Sequence, residues 1–208
     1  MGKKVVIILA NASHLPKIEE EDIVICADSG YMSALENGIK VDMLIGDLDS
    51  IGQKHISYAR SAGVEIRSFP RDKDSTDGNL AVDAAIELEA EEILLVGGRS
   101  GRLDHVLSSL LIPFNNDCKA RFEIWLEKDR FIPLCKSEIF RSTAICRTLS
   151  IVPLSMDCRV TTRGLRWELQ SESLPLGSTR GIHNIPTGGN FEIKCIEGSL
   201  LVFLSDEE

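Results

Sequence analysis

The chain has 208 residues, 43% apolar and 5% aromatic, with a formal net charge of −9, enough for one large or two small domains around a real core. Nucleic acid and anionic membrane are disfavoured as partners, because both are recognised through basic patches. A nucleotide held through magnesium remains compatible with this charge.

In chain order, Met1-Gly2-Lys3-Lys4 is followed by six apolar residues, Val5 to Ala10. That run is too short for a signal sequence or a membrane span, so the expected address is the cytoplasm. It reads instead as a buried strand, as do Ile23 to Ala27, Met43 to Ile45, Val64 to Phe69 and Ile93 to Val96. Helices are predicted from Tyr31 to Asn37, closed by Gly38, from Gln53 to Ala62, closed by Gly63, and from Thr76 to Leu88. In the third, Leu80, Ala81, Ala84, Ala85 and Leu88 recur at helical spacing, which puts Asp77 in the first turn, where a carboxylate suits the helix dipole. Leu103, Val106, Leu107, Leu110 and Leu111 mark a fourth helix ended near Pro113, with His105 opposite the stripe and Asp104 at its margin. Phe122 to Leu126 adds a strand. Strand, glycine turn and helix in alternation predict an α/β domain with a mostly parallel sheet.

From about Asp129 the runs are short and β-like: Phe131 to Leu134, Glu138 to Arg141, Thr148 to Val152, Arg159 to Thr162, Arg166 to Leu169, Phe191 to Ile196 and Leu200 to Leu204. Turn signals such as Thr187-Gly188-Gly189-Asn190 and Glu197-Gly198-Ser199 separate the later ones. These features predict a small C-terminal all-β sandwich, giving two domains, 1–128 and 129–208. The six cysteines (Cys26, Cys118, Cys135, Cys146, Cys158, Cys195) form no CxxC pair and have no histidine at ligand spacing, which reads as reduced thiols without zinc.

Three acidic clusters carry most of the chemical information: Gly46-Asp47-Leu48-Asp49-Ser50, Asp72-Lys73-Asp74-Ser75-Thr76-Asp77 and Gly97-Gly98-Arg99-Ser100-Gly101-Arg102-Leu103-Asp104-His105. Each follows a strand-like run, and in an open α/β sheet the loops after the strands share one edge. Asp47 and Asp49 can share a cation in such a loop, since magnesium is held by one or two carboxylates plus phosphates and waters. Asp49 and Ser50 equally suit a helix cap. In the second cluster Lys73, Asp74, Thr76 and Asp77 mix charges and hydroxyls suited to a metal and a phosphate chain, although the run is also a typical solvated helix entry. Asp77 is the strongest ligand candidate there. Glycines in the third cluster let backbone amides approach an anion, and Arg102 adds a fork of donors. The cluster lacks GK[ST] and GxGxxG, which disfavours P-loop and dinucleotide chemistry. Ala27-Asp28-Ser29-Gly30, a turn by itself, falls on the same edge. Trp167, in Gly164-Leu165-Arg166-Trp167, offers an indole for stacking, while such residues are more often core. Spacing makes neither His105 nor His183 a catalytic base.

With these residues in view, the sequence resembles the thiamine pyrophosphokinase family over essentially its whole length. The resemblance rests on Ala27-Asp28-Ser29-Gly30, Gly46-Asp47-Leu48-Asp49-Ser50-Ile51, Asp74-Ser75-Thr76-Asp77, Gly101-Arg102-Leu103-Asp104-His105, Leu149-Ser150-Ile151-Val152-Pro153-Leu154 and Gly164-Leu165-Arg166-Trp167. It implies an N-terminal α/β domain that binds ATP and magnesium and a β-sandwich that binds thiamine and dimerises. The homodimer would have its active sites at the subunit interface, and a pyrophosphoryl group would pass from ATP to thiamine, giving thiamine diphosphate and AMP. By resemblance Asp47, Asp49 and Asp77 hold Mg2+, with Asp74 and Arg102 completing the catalytic set. Asp28, Ser50, Lys73, Thr76, Gly101, Asp104 and His105 serve the nucleotide side, and Trp167, His183 and Asn184 the thiamine side. Ser29, Asn79, Ser100 and His183 depart from the family pattern. Rival readings are a pyrophosphokinase for another alcohol such as a hydroxymethylpterin, a non-catalytic nucleotide or thiamine sensor, and a metal-dependent phosphohydrolase.

Overall fold

Runs such as Lys-Val-Val-Ile-Ile and Glu-Ile-Leu-Leu-Val-Gly are apolar on both faces, as strands of a parallel sheet covered on both sides must be. In the computed structural model, which describes residues 2–98, 102–115, 119–143 and 146–205, they become β1 (Lys4–Ile8), β2 (Ile23–Ala27), β3 (Met43–Gly46), β4 (Glu65–Ser68), β5 (Glu92–Gly97) and β6 (Arg121–Leu126). These lie in the order β4-β3-β2-β1-β5-β6, and every neighbouring pair is parallel. The one polar strand, β4, lies at the edge, where charges discourage further pairing; its Arg67 pairs with Glu65 and Glu87.

Helices α1 (Gly30–Glu36), α2 (Gln53–Ser61), α3 (Asp77–Glu87) and α4 (Leu103–Leu111) alternate with the strands. Tyr31, Ala34, Ile56 and Ala59 of α1 and α2 share a core with Val6, Ile8, Val24, Cys26, Leu44 and Val96 on one face of the sheet. The alternate residues Ile7, Ile25, Ile45 and Leu95, all fully buried, point the other way. Helix α3 packs on β1, β2 and β3 and buries Ala81, Val82, Ala84 and Ala85, small side chains that let it lie close. Helix α4 differs: none of its residues is buried, and Leu103, Leu107 and Leu111 form an exposed apolar stripe. No helix among the described residues is long and apolar enough to cross a membrane.

The chain divides into two units between Glu127 and Lys128. The second is all β. One antiparallel sheet has β7 (Asp129–Cys135), β13 (Ser199–Ser205) and β9 (Thr148–Pro153) in that order, and a second has β11 (Glu172–Ser173), β10 (Arg159–Arg163), β12 (Phe191–Glu197) and β8 (Ile139–Ser142). Ile132, Leu149, Ile151 and Val202 from the first sheet meet Val160, Phe191, Ile193 and Cys195 from the second in one core. That is a sandwich.

Arg166 to Leu169, predicted as a strand, is instead an irregular turn. Gly164 takes φ +74°, and its N–H donates to Glu168 Oε1 at 2.8 Å. The chain doubles back so that Thr162 N donates to Leu169 O and Leu169 N donates to Thr162 Oγ1, each at 2.8 Å. These contacts satisfy backbone groups that a strand would have offered to a neighbour. The described cysteines Cys26, Cys135, Cys146, Cys158 and Cys195 are free thiols; Cys118 lies outside the described residues.

Candidate active site

The chain steps outward from β1 to β4 and then returns to lay β5 on the other side of β1. Strand order therefore reverses between β1 and β5, and ligands of open α/β sheets lie beyond the carboxyl ends at such a point. A cavity of about 630 Å³ opens there, within the few hundred to about 1,000 Å³ usual for small-molecule sites. Its lining includes Asn11 after β1, Asp28 after β2, Asp47 after β3, Lys73 and Asp77 before and in α3, and Arg102 before α4.

Local backbone conformation aims the acids. Asp28 sits at φ +45° with its N–H donating to Ile45 O at 2.8 Å, which ties the end of β2 to β3. Leu48 takes φ +61° and buries its side chain, so that Asp47 and Asp49 flank it. A bulky residue in this region is strained, and such strain is concentrated at functional sites. Asp47 Oδ1 accepts from Asp49 N at 3.1 Å, and Ser50 Oγ donates to Asp28 Oδ2 at 2.6 Å. One carboxylate oxygen from each of Asp28, Asp47 and Asp49 lies within 4.8 Å of the other two.

Asp77 reaches the same place from α3. The helix is capped by Thr76, whose Oγ1 accepts from Asn79 N at 3.2 Å. Gly46 separates the acids: it takes φ +150°, and a Cβ there would stand 3.2 Å from both Asp28 Cβ and Asp77 Oδ1. Lys73 Nζ lies 3.0 Å from Asp77 Oδ1, an ion-pair distance without hydrogen-bond geometry, and donates to Pro70 O at 3.2 Å. Asp28 Oδ1 and Asp77 Oδ1 are buried without a hydrogen-bond partner. Burying such an oxygen is costly unless a cation satisfies it; the Lys73 ammonium does so for Asp77, which leaves Asp28 Oδ1 as the oxygen still to be satisfied. An all-oxygen donor set with orphaned lone pairs suits a hard divalent ion such as magnesium.

Arg102 and Asp104 form an exposed fork, Nε to Oδ1 at 3.1 Å and Nη2 to Oδ2 at 2.5 Å. This contact with the guanidinium holds the Asp104 carboxyl below the usual carboxylate range, and the carboxylate in turn raises Arg102. Both residues line the cavity together with His105 and Thr76. Other predicted members are placed differently. Asp74 is exposed and outside the cavity lining, and Asp49 is exposed and paired with Arg71, Nη1 to Oδ2 at 3.4 Å. Gly101 and Ser100 lie outside the described residues. The departing residue Asn79 donates to Asp83 Oδ2 on its own helix at 3.1 Å.

Sequence reasoning missed Leu9, Ala10, Asn11 and Arg71 in the lining. Gly98 signals the first three, since a Cβ there would meet Asn11 O at 2.1 Å, so the β1 and β5 loops touch only because residue 98 is glycine. Arg71 was visible only as the cation ahead of an acidic run.

In the β unit, Trp167 is 52% exposed and is therefore not core. Arg166 stacks on its ring, with Cζ 4.9 Å from the centroid. Asn184 is 4% exposed and hydrogen-bonds to the Trp167 backbone rather than opening to solvent. His183, exposed at φ +58°, donates its N–H to Ser150 Oγ at 3.0 Å.

Comparison with known proteins gives a consistent picture. A family model described as "Thiamin pyrophosphokinase, catalytic domain" matches residues 16–126, and one described as "Thiamin pyrophosphokinase, vitamin B1 binding domain" matches residues 136–200. The chain is 28% identical over 195 residues to "Thiamine pyrophosphokinase" of Bacillus subtilis (strain 168), covering 91% of this chain and 90% of that one. It is 26% identical over 170 residues to "Thiamine pyrophosphokinase 1" of Oryza sativa subsp. japonica, covering 70% of this chain and 59% of the longer plant protein. The fold matches a crystal structure of the thiamine pyrophosphokinase from Bacillus subtilis with a TM-score of 0.87 at 22% identity, covering 99% of this chain and 100% of that one.

Proposed function

Because the chain belongs to the thiamin pyrophosphokinase family, we propose that it transfers the pyrophosphoryl group of ATP to the hydroxyethyl oxygen of thiamine, releasing thiamine diphosphate and AMP. The alcohol oxygen bonds to the β-phosphorus, the bond from that phosphorus to the α,β-bridging oxygen breaks, and AMP departs with that oxygen. The observation that carries the reading is the convergence of Asp28, Asp47 and Asp49 beside Asp77 at the switch-point cavity, with the Asp28 Oδ1 oxygen buried and without a hydrogen-bond partner.

Asp47, Asp49 and Asp77 would hold Mg2+, and the orphaned oxygen of Asp28 adds a fourth candidate. When bound, the ion would neutralise phosphate charge while the pyrophosphoryl group passes to the alcohol. Arg102 and Lys73 supply positive charge to the phosphate chain, Arg102 by turning its fork from Asp104 to phosphate oxygens of the same geometry. A carboxylate of the site takes the alcohol proton. Asp104, His105, Thr76 and Ser50 complete the nucleotide side, and Trp167 offers its exposed indole to the flat rings of thiamine.

The same proposal includes a homodimer with active sites at the subunit interface and a cytoplasmic address. The open leucine stripe of α4 supports the first, since contiguous apolar surface is usually covered by a partner. Free thiols support the second. AMP release from ATP and magnesium, with and without thiamine and with the product identified by mass, tests the reaction. Thiamine-dependent AMP together with thiamine diphosphate is the expected result. Folded protein that binds ligand without forming AMP would reject it in favour of a sensor, and AMP formed only with a pterin alcohol would reject thiamine as the acceptor.

A further inference from the structure

Asn184 combines deep burial with a peptide-like pairing. Its side-chain Oδ1 accepts from Trp167 N at 3.1 Å, and its Nδ2 donates to Trp167 O at 2.7 Å, so one amide meets both polar groups of one backbone residue. Oδ1 also accepts from Ile185 N at 2.9 Å. Both acceptor positions of that oxygen are thus filled within the protein. The opposite amide orientation would set N–H groups against two N–H donors, so the network fixes how the side chain points.

The backbone of Asn184 is anchored in turn. Leu149 N donates to Asn184 O at 2.9 Å and Asn184 N donates to Leu149 O at 2.7 Å, while Arg166 N donates to Ile185 O at 2.8 Å. A strut therefore runs from β9 through Asn184 to the backbone of Trp167, which lies in a turn and belongs to no strand. Aspartate would lose the donor to Trp167 O, and glutamine would add a methylene to a closed ring.

We infer that Asn184 is a positioning residue: it holds the Trp167 indole in place as a platform for the acceptor's aromatic ring and acts through that indole. The inference rests on the reading of Trp167 as part of the thiamine site. It assigns Asn184 a role different from the direct acceptor contact implied by family resemblance.

The chain has two tryptophans, so in a Trp125→Phe background Trp167 is the sole tryptophan, excited selectively at wavelengths where the two tyrosines do not absorb. In that background Asn184→Ala and the near-isosteric Asn184→Asp are compared with the parent for acrylamide quenching of Trp167, then for thiamine KM, ATP KM and kcat. Loss of a buried pairing is expected to raise thiamine KM about 10- to 100-fold, with ATP KM within about 2-fold. Quenching should rise in the same order as KM across the variants, without substrate present. A raised thiamine KM with quenching unchanged would overturn the inference in favour of direct contact. Unchanged quenching and unchanged KM in Asn184→Asp, folded by circular dichroism, would also overturn it. If Trp167→Ala keeps a normal thiamine KM, the platform reading itself fails, a result separable from the quenching of the Asn184 variants.

Discussion

The two units place their functional groups by opposite means. In the α/β unit the groups sit at the ends of regular strands, and the sheet's order brings Asp28, Asp47 and Asp77 together although they are far apart in sequence. In the β unit Trp167 sits on an irregular turn, set by side chains bonding to backbone: Thr162 to Leu169, Glu168 to Gly164 and Asn184 to Trp167. The first arrangement is robust because the backbone ladders of five parallel strand pairs and the packing of helices on them specify a sheet edge. The second depends on a few hydrogen bonds whose loss frees the turn that carries Trp167. Several charged groups that must converge on one ligand gain from the first, and a single aromatic face can be held by the second.

The largest effect should come from the acids. Asp47→Asn or Asp77→Asn keeps shape and the sheet edge while removing one charge from the proposed cation site, and turnover should fall by about 100- to 1,000-fold. AMP formation under saturating ATP and thiamine is the readout, and near-normal turnover in either variant would remove that residue from the cation site. Next is Gly46→Ala, which tests whether the sheet edge itself is the device. The added Cβ would press on Asp28 and Asp77 from a backbone conformation that side chains rarely adopt, so about 3 kcal/mol of stability should be lost, measured by urea unfolding. A smaller loss, about 1 to 2 kcal/mol, is expected for Thr162→Val in the β unit, where a fully buried side chain would leave Leu169 N without its acceptor. An unchanged urea midpoint for Thr162→Val would show that the turn carrying Trp167 is held by something other than these bonds.

The same contrast explains what the sequence disclosed. Periodicity and closing glycines located α1 to α3 to within one residue at their ends and the fourth helix to within about two, and turn chemistry placed Asp28, Asp47 and Asp77 after strands because regular elements are local properties of the chain. The sequence already favoured Asp77 in the first helical turn; Asp74, ahead of the Thr76 cap and outside the helix, is exposed, while Asp77 comes against Gly46. Arg166 to Leu169 alternated like a strand, but its backbone is paired by Thr162 and Glu168 through a glycine turn that no period-two pattern reveals. The bond between Asn184 and Trp167 joins residues 17 apart without any shared motif. The stripe on α4 was legible as amphipathic, although amphipathicity says only that a face seeks cover and not where cover comes from.

The smallest expected effect has the opposite sign in stability. Oxygens of Asp28, Asp47 and Asp49 lie within 4.8 Å of one another, and Asp28 Oδ1 has no hydrogen-bond partner. Without a cation, the three acids repel. Asp28→Asn removes one charge and retains an oxygen to accept from Ser50 Oγ, so the metal-free protein should gain about 1 kcal/mol, the size of one like-charge contact at this distance in a water-like dielectric. Urea unfolding in chelator would read the gain. The same variant should lose divalent-ion binding, measured by titration calorimetry with Mn2+, and part of its thiamine-dependent AMP formation. A site that stabilises the protein when one of its acids is removed is a site kept for a ligand. If Asp28→Asn is instead less stable in chelator, Asp28 serves as a structural link between β2 and β3, and the cation set shrinks to Asp47, Asp49 and Asp77.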